Sequence, residues 1–268
     1  MADGADFIRY IRYFIRCQES MPSFLSQTSH RPYPLPSGPW MMQQTWYNLL
    51  FAHWPVPVDV LRQRIPASLE IDTFEGQAWI GVVPFGMSRV YPRYTFPAPW
   101  LSYFLELNVR TYVRVGDKPG VWFFSLDAAN PMAVALARAW YHLPYFNARM
   151  RMRETADGRI EYHSTRTHPG ASSAEFKGRY RPVGEVYESK QGTLENWLTE
   201  RYCLYTVGAG GEVYRGEIHH IPWPLQKAEA EIEANTMAAP HGIELPNTQP
   251  LLHFARKIET VEWAIGRV

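Results

Sequence analysis

The sequence predicts an α+β fold built mostly from antiparallel strands, and three observations carry that prediction. Period-two alternation of apolar and polar residues recurs from Trp40 almost to the C-terminus, the pattern of half-buried strands. Turn signals punctuate it, notably GDKPG at 116–120 and ADGR at 156–159, each between two strand-like runs. Beyond Trp40 only 57–64, 130–142, 193–199 and 224–235 read as helices, too few to cover a parallel sheet. The expectation is one large sheet or barrel system with short helices tucked between its strands.

In chain order, residues 6–17 (DFIRYIRYFIRC) place Phe7, Ile8, Ile11, Phe14 and Ile15 on one helical stripe with Arg9, Arg12 and Arg16 between them. Such a basic amphipathic helix packs on its own domain or across a dimer, leaving a homo-oligomer open. The alternative is an anionic membrane surface, which is the less favoured reading. HRPYPLPSGPW then reads as an extended linker, so 1–39 forms an N-terminal extension and 40–268 a single domain. Strands are expected at 43–52, 76–87, 102–115, 120–127, 146–154, 159–167, 175–182, 201–207, 211–221 and 251–263. GAGGEV at 208–213 lies between two of them and reads as a hairpin, not as a dinucleotide loop.

The strand SYFLELNVRTYVRV (102–115) is the most informative. Phe104, Glu106, Asn108, Arg110, Tyr112 and Arg114 share one face, because side chains alternate along a strand. The following VWFFSL is apolar on both faces and reads as central. With a partner strand of that kind, Glu106, Asn108 and Arg110 either meet solvent or line a polar cavity, and the cavity is the favoured reading.

Composition narrows the function classes. A net charge of +1 argues against nucleic acid or an acidic macromolecule as partner. Cys17 and Cys203 are too few and too far apart for a disulfide framework, which points to the cytoplasm. No run reaches the roughly 18 apolar residues of a membrane span, and MADGADF lacks the form of a secretory signal. Phosphate-loop, H-E-x-x-H, C-x-x-C and G-x-S-x-G motifs are absent from the sequence, so no cofactor and no metal is expected. His219 and His220 are adjacent on a strand and point apart.

Several phrases in order, FAHWPVPVDVLRQRIPASLEIDTFEGQAWIGVVPFGM, LELNVRTYV, KPGVWFFSLDA, ARAWYHLPYFNARM, LTERYCLY and HHIPWPLQKA, resemble the YqjF-like family of bacterial proteins, domain of unknown function 2071. The resemblance spans roughly residues 45–263. That family is grouped by fold with acetoacetate decarboxylase, which implies a barrel-like α+β domain around an enclosed pocket. In the decarboxylase a motif Gly-Arg-Glu-x-x-Gly-x-Pro-Lys-Lys supplies an amine that forms an imine with a keto acid. Here Arg138 and Pro144 match it. Ala137, Ala139 and His142 replace Gly, Glu and Gly, and Tyr145 and Phe146 stand where the two lysines would be.

Neither Tyr nor Phe forms a Schiff base, and of Lys118, Lys177, Lys190, Lys227 and Lys257 most lie in contexts that suggest solvent, with Lys177 and Lys257 as weak exceptions. Imine-forming decarboxylation is therefore not expected. The resemblance implies instead a cavity with Glu106 and Tyr145 as an acid–base pair. Arg110 and Arg138 would clamp a ligand carboxylate, and Asn108, Tyr112, Tyr141 and Phe146 would complete the wall. Three readings stay open. One is a binding protein for a small organic acid or carbonyl compound, and another a lysine-independent lyase or isomerase. In the third, Glu106–Arg110 is a structural ion pair and the tyrosines are core.

Overall fold

Alternating sequence becomes thirteen strands in one sheet: β1 Met42–Val56, β2 Glu70–Ile71, β3 Ala78–Pro92, β4 Phe104–Val115, β5 Lys118–Ala128, β6 Tyr145–Glu154, β7 Ile160–Arg166, β8 Glu175–Tyr187, β9 Cys203–Val207, β10 Val213–His219, β11 Leu225–Asn235, β12 Leu251–Glu262 and β13 Gly266–Arg267. Three short helices, α1 Val58–Arg62, α2 Pro131–Tyr141 and α3 Leu194–Thr199, sit between them. The structure, a computed structural model, describes residues 22–98 and 100–268. The helix expected at 6–17 lies outside the described residues. Among them, no helix is long and apolar enough to cross a membrane.

Pairing is antiparallel except where β5 meets β6 and β9. Strand β5 pairs near its start with β9, through Val121 and Trp122, and at its end with β6, through Leu126 to Ala128. Strand β12 divides likewise between β11 and β10. The sheet therefore wraps on itself twice. One ring runs β5-β6-β7-β8-β11-β12-β1-β3-β4 and the other β5-β9-β10-β12-β1-β3-β4.

The shared strands are buried on both faces. Leu50, Ala52, Val82, Leu107 and Val109 pack with Tyr162, Phe176 and Tyr180 in the solid core of the larger ring. Leu49, Phe51, Val83 and Phe85 turn the other way, toward a second apolar cluster with Trp223 and toward a cavity. A slip in the β4–β5 register, Val109 opposite Ser125 but Arg110 opposite Phe123, gives β5 an extra residue at Phe124. That bulge lets both Phe123 and Leu126 face the cavity, which strict alternation forbids.

The segment expected as helix 224–235 is strand β11, and this corrects the sequence reading. Its Ala and Glu favour a helix by propensity. Its burial nevertheless alternates, with Lys227, Glu229, Glu231 and Glu233 exposed and Ala228, Ala230 and Ile232 turned inward. Pairing with β8 on one side and β12 on the other satisfies its backbone, and tertiary pairing overrides propensity. The other three helices form where expected.

Helix α2 covers the cavity. Asn130 caps it, its Oδ1 accepting from the backbone N–H of Met132 and Ala133, while its Nδ2 donates to the Trp100 carbonyl at 2.8 Å. Pro131 takes the first helical position, where a missing N–H costs nothing. At the far end His142 adopts left-handed φ of 51° and Pro144 follows, stopping the helix. Replacing Asn130 by Ala is expected to destabilise the fold by about 1 kcal/mol, read from urea unfolding.

Candidate functional site

The cavity, of about 230 Å³, lies inside the ring that contains β9 and β10. Its wall is largely apolar, with Trp46, Phe51, Phe85, Phe104 and Trp223 among the lining residues. Into it the polar face of β4 projects Glu106, Asn108 and Arg110, which are 3%, 6% and 8% exposed. The chain therefore spends a carboxyl, an amide and a guanidinium on an otherwise apolar wall. Buried polar groups require partners, and these three are poorly supplied. Asn108 Oδ1 and Arg110 Nε have none, and Arg110 Nη2 donates only a long bond, 3.3 Å, to the Leu198 carbonyl. Glu106 and Arg110 do not pair with each other. Four strand residues separate their Cα atoms by about 13 Å.

The partner of Glu106 is Tyr145, whose hydroxyl donates to Glu106 Oε2 at 3.0 Å. Tyr145 begins β6 directly after the helix stop, with the Pro144 carbonyl accepting from Leu126 N–H at 3.0 Å. Its neighbour fixes which way it points. Phe146 lies on the opposite face, with the Arg166 guanidinium 4.1 Å above its ring and His168 edge-on at 5.5 Å. Arg166 is itself held in a bidentate pair by Asp127, at 2.9 and 2.7 Å, with both side chains almost wholly buried. A phenyl ring clamped outward directs the preceding phenol inward, because adjacent strand residues alternate.

Electrostatics separate the acids. Burial pushes the Glu106 carboxyl up to about 8, although the Tyr145 hydrogen bond pulls it down; Glu262 and Asp127 push it further up. Burial and then the Glu106 charge hold the Tyr145 phenol well above its ordinary range. Tyr141, from α2, is raised by burial to about 12. Glu262, at the end of β12, also lines the cavity, and burial pushes it up to about 7.

The structure brings Glu106, Asn108, Arg110, Tyr141 and Tyr145 to one cavity and leaves three expected residues out of it. Arg138 is exposed on α2, where its Nη1 donates to the Tyr145 carbonyl at 2.6 Å, so it braces the helix against β6 and clamps no ligand. Phe146 faces away, for the reason given. Tyr112 is fully buried beyond the cavity, with its hydroxyl 2.7 Å from His53 Nε2 and donating to the Leu198 carbonyl at 2.8 Å. The sequence reading missed Glu262 and Arg201. Glu262 is distant in sequence and carries no local signal. Arg201 lines the cavity while Asp72 neutralises it at 2.6 Å.

Cys203 also reaches the wall, as a thiol that burial raises to about 11. His219 and His220 diverge as expected, one stacked on Phe24 and the other lining the cavity. None of the five lysines, all of them among the described residues, lines the cavity. Lys118 is bound by Glu217 at 2.6 Å, Lys177 by Glu233 at 2.5 Å, and Lys257 lies 3.4 Å from Glu259. Lys190 and Lys227 are exposed.

Solved structures share this architecture. The enduracididine biosynthesis enzyme MppR complexed with pyruvate matches with a TM-score of 0.59 and 9% identity, over 90% of this chain and 94% of that one. An acetoacetate decarboxylase-like enzyme from Sphingomonas wittichii RW1 matches with a TM-score of 0.55 and 12% identity, over 89% and 97%. At such identities the likeness concerns the fold alone. Ring and wall together define a protein of acetoacetate decarboxylase-like fold whose cavity presents carboxyls and phenols but no amine.

Within that class the family is clear. The profile of DUF2071, described as an uncharacterized conserved protein, matches residues 43–259, and the chain belongs to that family. The relative described as uncharacterized protein YqjF, from Bacillus subtilis (strain 168), is 46% identical over 233 residues, which cover 87% of this chain and 95% of that protein.

Proposed function

We propose that this chain binds a small carbonyl-bearing organic acid in its cavity and acts on it by lysine-independent proton transfer, as an isomerase or lyase. The observation that carries this reading is the Glu106–Tyr145 hydrogen bond of 3.0 Å on the cavity wall. With its carboxyl raised to about 8, Glu106 is protonated at neutral pH. Tyr145 donates to one carboxyl oxygen, leaving the acid's own proton free to meet a ligand carbonyl. A neutral carboxylic acid in an apolar site is a strong donor to developing oxyanion charge.

Arg110 supports the carboxylate half of the ligand. Its guanidinium is buried over the Phe51 ring at 5.2 Å, with no acid in ion-pair reach among the described residues. A buried cation without a counter-charge is costly, and an anionic ligand supplies one. Pyruvate, held by the distant structural relative MppR, belongs to the same chemical class. The cytoplasm, which holds such acids and keeps a buried thiol like Cys203 reduced, is the proposed compartment.

Two measurements test the reading. Thermal-shift titration with a panel of oxo acids should give binding that Arg110→Ala weakens by tenfold or more. Borohydride added to the same mixtures should leave the protein mass unchanged. A reduced adduct on any lysine would falsify the imine-free mechanism. Binding of the panel without any turnover would reduce the protein to a binding module.

A further inference from the structure

The mechanism above uses one of the three glutamates that line the cavity. Glu262 is another, and no described residue pairs with its carboxyl. Its strand is pinned at a three-way junction, where Glu262 lies opposite Met42 of β1 and Ile218 of β10. Its backbone is thus committed on both sides, and its carboxylate makes no hydrogen bond or ion pair with any described residue. The lack of a side-chain partner separates it from Glu217 on the adjacent β10, which also lines the cavity. Glu217 is neutralised by Lys118 at 2.6 Å and Arg215 at 2.7 Å.

The groups sharing the cavity with Glu262 are Glu106 and Arg110 from β4, Tyr145 from β6, Tyr141 from α2, Cys203 from β9, the paired Glu217, His220 just beyond β10, and Arg201. Of these, His220 is neutral, lowered by burial to about 4, and Arg201 is held by Asp72. Glu106 and Glu262 are therefore the two acids free to exchange protons with a ligand. They lie on the two strands that flank the shared pair β1 and β3, and the Glu262 charge adds to the burial that raises Glu106. Two carboxyls lining one cavity do not ionise together, so between their two titrations one serves as base while the other stays an acid.

Resting on the function proposed above, we infer that Glu262 is the catalytic base that removes the proton α to the ligand's carbonyl while Glu106 protonates or hydrogen-bonds the carbonyl oxygen. In this step the C–H bond breaks and its proton goes to the Glu262 carboxylate. The electron pair forms the enol double bond, and the carbonyl π pair moves to oxygen, which takes the Glu106 proton. Return of a proton to the same carbon exchanges it with solvent; where the α-carbon carries a hydroxyl the enol is an enediol, and protonation of the former carbonyl carbon with loss of the α-hydroxyl proton isomerises the ligand. The step is redox-neutral and needs no co-reactant. The assignment of roles follows the environments: Glu262 ionises first, and its charge then holds Glu106 in the acid form.

The test is deuterium wash-in at the α-carbon, followed by proton NMR in heavy water, with pyruvate, 2-oxobutyrate and 4-oxopentanoate as probes and binding measured in parallel by thermal shift. Wild-type protein should exchange the α-protons of at least one probe, with a bell-shaped pH profile limited near 7 and 8. Glu262→Gln should bind that probe within threefold of wild type but exchange it at least 100-fold more slowly. Glu106→Gln should lose the alkaline limb of the profile and keep the acid limb.

Wash-in by Glu262→Gln at more than half the wild-type rate overturns the assignment. Probes that bind the wild type without any wash-in overturn it too, and leave the binding half of the proposed function standing. If no probe binds or exchanges, both fall together.

Discussion

Asp127→Asn is expected to destabilise the protein by about 3 to 5 kcal/mol, the cost of stranding one buried charge. The side chain keeps its volume, so packing is not the cause. What is lost is the negative half of a pair at 2.9 and 2.7 Å that is nearly sealed from water. Burial raises the Asp127 carboxyl above its ordinary range even with Arg166 against it. The attraction therefore does not fully offset desolvation, and the pair as a whole is no great stabiliser. A double variant, Asp127→Leu with Arg166→Met, should accordingly be less destabilised than the single one in urea unfolding. A single-variant cost below about 1 kcal/mol would show that the pair does not hold this seam. The seam matters for function, because β5 and β6 share only three registered pairs there and Phe146 packs on Arg166. Loss of that clamp should also loosen Tyr145, visible as a weakened response to oxo acids before the protein unfolds.

Wild-type stability should fall as pH rises from about 5 to about 8, relative to a Glu106→Gln, Glu262→Gln double variant. In the unfolded chain both carboxyls titrate near 4.5, whereas in the native protein Glu262 holds its proton to about 7 and Glu106 to about 8. Between those limits the native state binds more protons, so its stability is complete below about 4.5 and drains away through 7 and 8. The full loss is of order 5 kcal/mol for Glu106 and about 3 kcal/mol for Glu262. Glutamine mimics the protonated acid and does not ionise, so the difference between wild type and variant isolates the effect. Unfolding midpoints that run parallel for the two proteins across this range would mean that these carboxyls are solvated. An acid with a lowered pKa would give the opposite slope, which makes the sign diagnostic.

How legible was this site in the sequence? The polar face of β4 was read directly, because Glu106, Asn108 and Arg110 alternate with Leu105, Leu107 and Val109 in one unbroken strand. The place of Tyr145 came from the decarboxylase-like segment, and its 3.0 Å contact with Glu106 joins the two. Arg138 and Phe146 were placed at the site by matching that segment position by position. The match ignores that α2 turns Arg138 outward and that β6 sends neighbouring residues to opposite faces. Helix propensity misled the reading of β11, where alternating Glu and Ala encode a strand only once β8 and β12 lie beside it.

Local pattern and chemistry thus determined, from the sequence by itself, the α+β class, most of the strands, the family resemblance and the absence of a usable amine. These depend on alternation along a few residues or on which functional groups exist at all. Tertiary structure alone decided that the sheet closes twice, that one closure leaves a cavity, and that Glu262 and Glu106 both line it. Strand pairing and burial set those relations between residues remote in the chain. The same burial raises both glutamates to near neutral pH, a property that neither residue carries in the unfolded sequence.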